Sequence, residues 1–205
     1  MGRLNIQSDF TDFYDSLAEK NSIITYNRFL SECKQRGTAL KYLRSIGIKT
    51  IEIRQVNQFI MNDGPIVVYT NPKGHHSTGK EIMSVAQAMQ SYGNCIASKY
   101  YASEDGLTAK YLQIGKRRFN LYYRKGNLIS LDMGTPVSVN EIASEYNMLI
   151  GLPIFSIDYI SNGTEMIATD FNEVENLARL GMDKYISAEN TIEEIRQALE
   201  KYNKY

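Results

Sequence analysis

Cysteine is nearly missing from this sequence: Cys33 and Cys95 are the two present, too few for a disulfide framework and without the close spacing of a metal site. They read as reduced, buried thiols. Histidine is equally sparse. His75 and His76 stand side by side with no third nitrogen or sulfur ligand near them, which argues against a zinc-type centre. No apolar run approaches the roughly 20 residues of a membrane span, and residues 1–10 lack a signal-peptide core, so a cytoplasmic protein without membrane attachment is expected. Neither charge sign is in excess, Lys plus Arg and Asp plus Glu both numbering 23, and no overall field draws the chain to nucleic acid or lipid. Internal repeats and low-complexity tracts are also absent.

What remains is an ordinary globular composition, 43% hydrophobic and 22% charged over 205 residues, long enough for one large domain or two small lobes. Residues 9–36 carry a helical pattern, with Phe10, Phe13, Tyr14 and Leu17 and then Tyr26, Phe29, Leu30 and Cys33 at helix spacing. A second helix puts Leu40, Leu43 and Ile46 on one face and ends at Gly47. Strands are expected over 48–53, 65–70 and 94–101, and Ile82, Val85, Ala86 and Met89 mark an amphipathic helix ending at Gly93. Ser103-Glu104-Asp105-Gly106 is polar and turn-prone and marks a lobe boundary. Short strands over 109–114, 118–124 and 127–131 then make an antiparallel meander. Ser138 to Glu141 has the form of a capping box, predicting a helix that buries Val139, Ile142, Ala143, Tyr146 and Leu149. A last helix over 191–202 opens on Thr191 and Glu194 in the same pattern and buries Ile192, Ile195 and Leu199. The expected class is α+β, with a helical extension over 1–37, a first lobe over 38–102 and a second over 103–205.

Two stretches carry chemistry. Residues 154–160 and 166–171 are apolar runs flanking Ser161-Asn162-Gly163-Thr164, which reads as a β-hairpin. Strand alternation puts Ile154, Ser156, Asp158 and Ile160 on one side, and Ala168, Asp170 and Asn172 on one side of the next strand. Asp158, Asp170 and Asn172 can therefore meet on one surface, as hard oxygen ligands suited to Mg²⁺. The second stretch, Asn71-Pro72-Lys73-Gly74-His75-His76-Ser77-Thr78-Gly79-Lys80, follows a strand and opens a helix. Amides at a helix start, with glycines that permit close approach, suit an anion.

The hairpin resembles the metal-binding hairpin of ATP-grasp enzymes, in which an Asp on one strand and an acidic-x-Asn triplet on the next hold the Mg²⁺ ions of MgATP. Here the triplet is Asp170-Phe171-Asn172. The approach through 139–149 into Gly151-Leu152-Pro153 is similar, and residues 43–101 look like the family's first lobe. The likeness spans about residues 38–200, and the hairpin is its motif-grade part. It implies an ATP-grasp-like fold with a nucleotide cleft between two lobes. The implied activity joins a small-molecule or peptide carboxylate to an amine through an acyl phosphate, with ATP and Mg²⁺ as cofactors. By the same resemblance, Lys73, Gly74, His75, His76, Ser77, Thr78, Gly79 and Lys80 cover the phosphates. The backbone of Ser98, Lys99 and Tyr100 lines the adenine. Lys80 and Arg124 brace the transferring group, and Asp158, Asp170 and Asn172 hold metal. The short form is similar to phage-encoded members, and a homodimer is compatible with it.

The chain departs from the family in two places. The strand before the loop, Ile66-Val67-Val68-Tyr69-Thr70, lacks the usual lysine, and Ala97-Ser98-Lys99-Tyr100-Tyr101 lacks the acid that meets the ribose. A non-catalytic relative that binds nucleotide or a partner is the alternative these motivate. A further alternative is a P-loop phosphotransferase, since Gly74, Gly79 and Lys80 have that spacing, although Glu81 stands where Mg²⁺ binding needs Ser or Thr. An interaction module fronted by the aromatic N-terminal segment ranks lower still. The basic run Lys110, Lys116, Arg117, Arg118, Arg124 and Lys125 reads as a solvated strand face rather than a nucleic-acid strip.

Overall fold

Two antiparallel sheets organise the chain. The computed structural model describes residues 36–71, 79–102, 106–124, 136–142, 154–161, 163–172, 177 and 180–202. Helix α1 (Arg36–Ser45) precedes a sheet of β1 (Ile53–Gln55), β2 (Pro65–Tyr69), β3 (Lys80–Ser84) and β4 (Ile96–Lys99), with α2 (Val85–Tyr92) between β3 and β4. The strands lie in the order β1-β4-β2-β3. The second sheet contains β5 (Leu107–Ile114), β6 (Arg117–Arg124), β7 (Ser138–Glu141), β8 (Ile154–Ser161) and β9 (Met166–Asn172), in the order β7-β6-β5-β8-β9, and is followed by α3 (Ala188–Tyr202). Pairing between these strands is antiparallel throughout, in line with the expected α+β class. No helix among the described residues is long and apolar enough to cross a membrane.

The larger core belongs to the second sheet. Leu112, Ile114, Phe119, Leu121, Phe155, Ile157 and Phe171 are buried there, and Ala39, Leu40 and Leu43 of α1 join them together with Ile51. Tyr111, Phe155 and Phe171 follow one another across three strands, each neighbouring pair of rings 5.8 Å apart. A smaller core of Val56, Phe59, Ile66, Val68, Val85, Ala88 and Ala97 holds α2 on the first sheet. Each such aliphatic side chain contributes about 1.5–3 kcal/mol relative to exposure. The strand expected over 48–53 is realised as a parallel bridge from Thr50 to Ala168, followed by β1. Ile51 N–H donates to the Ala168 carbonyl, and Ala168 N–H to that of Lys49, both at 2.9 Å. The chain thus leaves the second sheet's core at Ile51 and returns to that sheet at Leu107.

Three expected helix starts are corrected. Lys80–Ser84 is a strand paired with β2 along its whole length, and the helix begins only after Ser84. There the Ser84 hydroxyl accepts from the Gln87 amide at 3.3 Å while the Gln87 side chain accepts from the Ser84 amide at 3.1 Å, a reciprocal cap that sets the boundary. Ser138–Glu141 is β7, paired with β6 from Tyr122 to Phe119. Arg117 clamps Glu141 by two bonds of 2.7 and 2.9 Å, so the box-like Ser and Glu serve a strand edge. Finally, α3 starts at Ala188, ahead of Thr191, whose hydroxyl donates back to the Ser187 carbonyl at 2.9 Å. Ile192 is consequently 47% exposed, whereas Ile195 is buried. The segments expected as a helix over 9–35, a strand over 127–131 and a helix over 143–149 lie outside the described residues, as does the Leu199 side chain.

Candidate active site

The hairpin of β8 and β9 is built as the alternation predicts. Asp158 pairs directly with Asp170, and Ser156 with Asn172. A bulge follows between Asp158 and Tyr159, leaving Thr169 as the extra residue, with its hydroxyl donating to the Asp158 carbonyl at 3.2 Å. Ala168 therefore pairs with Tyr159 and leaves the face of Asp170, where simple alternation had put it. Asn172 Nδ2 donates to Asp158 Oδ2 at 3.3 Å and to Ser156 Oγ at 3.4 Å. The three expected metal ligands thus sit on one surface, within contact of each other or directly opposite in register.

On the other side of β8, the register adds a residue that sequence reading had left among solvated cations. Lys110 on β5 pairs with Asp158. Its ammonium lies 2.5 Å from Asp158 Oδ1 and donates to Ser156 Oγ at 2.9 Å. The lysine side chain is 2% exposed and that of Asp158 23%. Both faces of β5 are covered, since Tyr111 and Leu112, which point oppositely, are buried. Cross-strand neighbours in this sheet form two rows, Lys110-Asp158-Asp170 and Leu112-Ser156-Asn172. The signal in the sequence would have been a lysine inside an otherwise apolar strand, opposite an aspartate in a strand that had to pair with it.

Lys80 reaches the same place from the first sheet, its Nζ lying 4.0 Å from Asp170 Oδ2. Lys80 pairs with Tyr69 at the mouth of the β2–β3 hairpin. Gly79 closes that mouth: its φ is +77°, and a Cβ there would fall 2.4 Å from Asn71 Cβ, so a larger residue cannot take its place without moving Asn71. Pro72, Lys73, Gly74, His75, His76, Ser77 and Thr78 lie outside the described residues. Their segment joins two antiparallel strands and does not run into a helix, which removes both the expected helix-start anion site and the P-loop alternative. Glu81, next to Lys80, instead accepts from the Tyr92 hydroxyl at 3.2 Å, and its charge pushes the phenol above its ordinary pKa.

Ser98 lies between β1 and β2, paired with Ile53 and Val67, and is buried with its hydroxyl 3.0 Å from that of Tyr69. Tyr100 N–H donates to the Pro65 carbonyl at 3.1 Å, and Lys99 is exposed, with its ammonium 6.0 Å from the Tyr101 ring centre. Arg124 is exposed at the end of β6 and pairs with Leu107. That register is three residues out of phase with Lys110, so the pleat directs Arg124 to the other face of the sheet.

The donors present fit a hard divalent cation. Two register-paired carboxylates and an amide supply oxygen, as Mg²⁺ prefers, and a half-turn of the Asn172 amide exchanges its nitrogen for its oxygen. Among the described residues no three of His, Cys, Asp and Glu converge, and Asn172 is the neutral oxygen donor beside the two carboxylates.

Solved structures share this arrangement of sheets. The chain is similar to the ATP-grasp ligase PsnB, in complex with a phosphomimetic variant of minimal precursor, Mg and ADP, at a TM-score of 0.56 and 10% identity over 94% of this chain and 73% of that one. It is similar to the D-alanine–D-alanine ligase of Bacillus anthracis complexed with ATP, at a TM-score of 0.54 and 14% identity over 84% of this chain and 66% of that one. For the macrocyclase MdnC of Microcystis aeruginosa MRC, bound with precursor peptide MdnA, the figures are 0.52 and 13%, over 82% and 59%. The fold is therefore ATP-grasp-like. The chain spans between 59% and 73% of the length of these proteins. No protein-family model matches it, and no curated protein sequence does.

Proposed function

We propose that the protein is an ATP-dependent carboxylate–amine ligase of the ATP-grasp type. The observation that carries this is the row Lys110-Asp158-Asp170, with Asn172 beside it and Lys80 approaching from the opposite sheet. In this reading residues 38–102 and 103–205 act as two lobes, and the nucleotide lies between them with its triphosphate toward Lys80. MgATP, when bound, supplies the phosphoryl group that converts the acceptor carboxylate to an acyl phosphate, which an amine then attacks with release of phosphate. The chain's own part is positioning and charge. Asp158, Asp170 and Asn172 are the oxygen donors for Mg²⁺. Lys80 and Lys110 set positive charge at the edge of that group, whereas Arg124, directed to the other face of the sheet, falls outside it. Lys73, Gly74, His75, His76, Ser77, Thr78 and Gly79 would cover the phosphates. The backbone of Ser98, Lys99 and Tyr100 would run beside the base. D-alanine and precursor-peptide ligases share the fold, and both a small-molecule and a peptide acceptor suit the reading.

Asp170→Asn, assayed by ADP release over a panel of carboxylates and amines, should lose on the order of 100-fold or more in rate; unchanged turnover would exclude the metal role. A second reading, nucleotide binding without catalysis, is favoured by β2, whose Ile66, Val67, Val68 and Tyr69 present no cation. Tight ATP binding with no ADP formed across the same panel would select it.

A further inference from the structure

The geometry points to Lys110 as a resident cation that takes the place of a second divalent ion, so that the hairpin takes a single Mg²⁺. This rests on the reading of Asp158, Asp170 and Asn172 as its ligands. Asp158 Oδ1 is committed to the Lys110 ammonium at 2.5 Å, and the same ammonium is fixed by Ser156 Oγ at 2.9 Å. Only Asp158 Oδ2, now accepting from Asn172, is turned toward the rest of the ligand set. A second ion on Asp158 would have to displace the ammonium. The lysine is rooted on a strand held on both sides, opposite Leu121 on β6 and Asp158 on β8, and its side chain is 2% exposed, with its ammonium bonded to Ser156 Oγ. Moving it would also leave a charge in a buried position without its carboxylate, which is strongly unfavourable. Two divalent ions and an ammonium within one residue's reach would repel across a few ångströms at low effective dielectric. One ion together with the lysine gives the phosphates two positive centres with less of that repulsion. Lys110 is on this account a positioning residue: it acts through Asp158 and fixes how many metal ions accompany the nucleotide.

Mn²⁺, counted from the electron paramagnetic resonance signal of the free ion, tests this in the full chain with a non-hydrolysable ATP analogue present. The wild type should saturate at one Mn²⁺ per chain and Lys110→Gln at two, while Lys110→Arg, which keeps the cation, should stay at one. If Lys110→Gln does not fold, Lys110→Met, which keeps the apolar stem, replaces it. Two ions in the wild type, or one in the cation-free variant, would overturn the proposal and leave the metal site standing. No ion in the wild type would remove the metal site itself, and the proposal with it.

Discussion

Among the described residues Lys110 is the single charged side chain that is buried, and replacing it by methionine isolates what its ammonium does. The substitution keeps most of the stem's volume and leaves Asp158 Oδ1 facing an apolar atom where a cation lay 2.5 Å away. Removing one partner of a buried ion pair costs about 3–5 kcal/mol. Asp158 keeps 23% of its side-chain surface exposed, so water offsets part of that, and a loss of about 2–3 kcal/mol is expected. For a chain of this size that lowers Tm by roughly 5–10 °C, within the stability of an ordinary domain. Urea unfolding followed by circular dichroism measures it, as a lower midpoint at unchanged slope. Adding Asp158→Asn to Lys110→Met removes the stranded charge, and the double variant should recover a coupling energy of about 2 kcal/mol. A single variant within about 0.5 kcal/mol of the wild type, or a double variant no more stable than the single, would refute the idea that the pair is held in low dielectric.

Gly115→Ala should destabilise by about 3 kcal/mol in thermal unfolding, since φ there is +57° and a Cβ would lie 2.6 Å from the Glu194 carbonyl oxygen; an unchanged midpoint would mean that α3 does not press on the β5–β6 turn. Bonds from Arg196 and then Gln197 hold the Glu193 carboxyl down to about 2 from an ordinary 4.5. Its folded pKa is lowered, so this contribution is present above about 4.5 and is lost as pH falls toward 2. Glu193→Gln should therefore be less stable than the wild type near neutrality and match it at about pH 2, with the gap shrinking in salt because the site is exposed; a gap that persists in acid would exclude the ion pair as its cause.

The parts of the fold legible in the sequence were those carried by period-two alternation. Asp158, Asp170 and Asn172 interrupt apolar strands at positions that a hairpin must place opposite one another, and the bulge falls just beyond them, so the counting held where it mattered. It failed at Ala168, one step past the bulge. Lys110 was not legible as the buried partner of Asp158, because a lysine in a strand ordinarily faces water, and its burial follows from β8, a strand that begins only at Ile154. Local capping patterns misled at Ser138 and Thr191, since the same residue spacing occurs at strand edges and inside helices. At Ser84 the true cap was overlooked because Ile82 and Met83 extend the apolar pattern backward. Pairing with β2 decides that boundary, and β2 is separated from β3 by a loop whose length conceals the partnership.

The bridge between Thr50 and Ala168 also bears on mechanics. The first sheet is an excursion of the chain that starts and finishes on the second, tethered at Ile51 on the way out and at Leu107 on the way back. Two tethers define a line, and tilting about that line is the softest rigid-body freedom they leave. A tilt of that kind would change the 4.0 Å separation of Lys80 on the first sheet from Asp170 on the second, while the row on β5, β8 and β9 kept its own register.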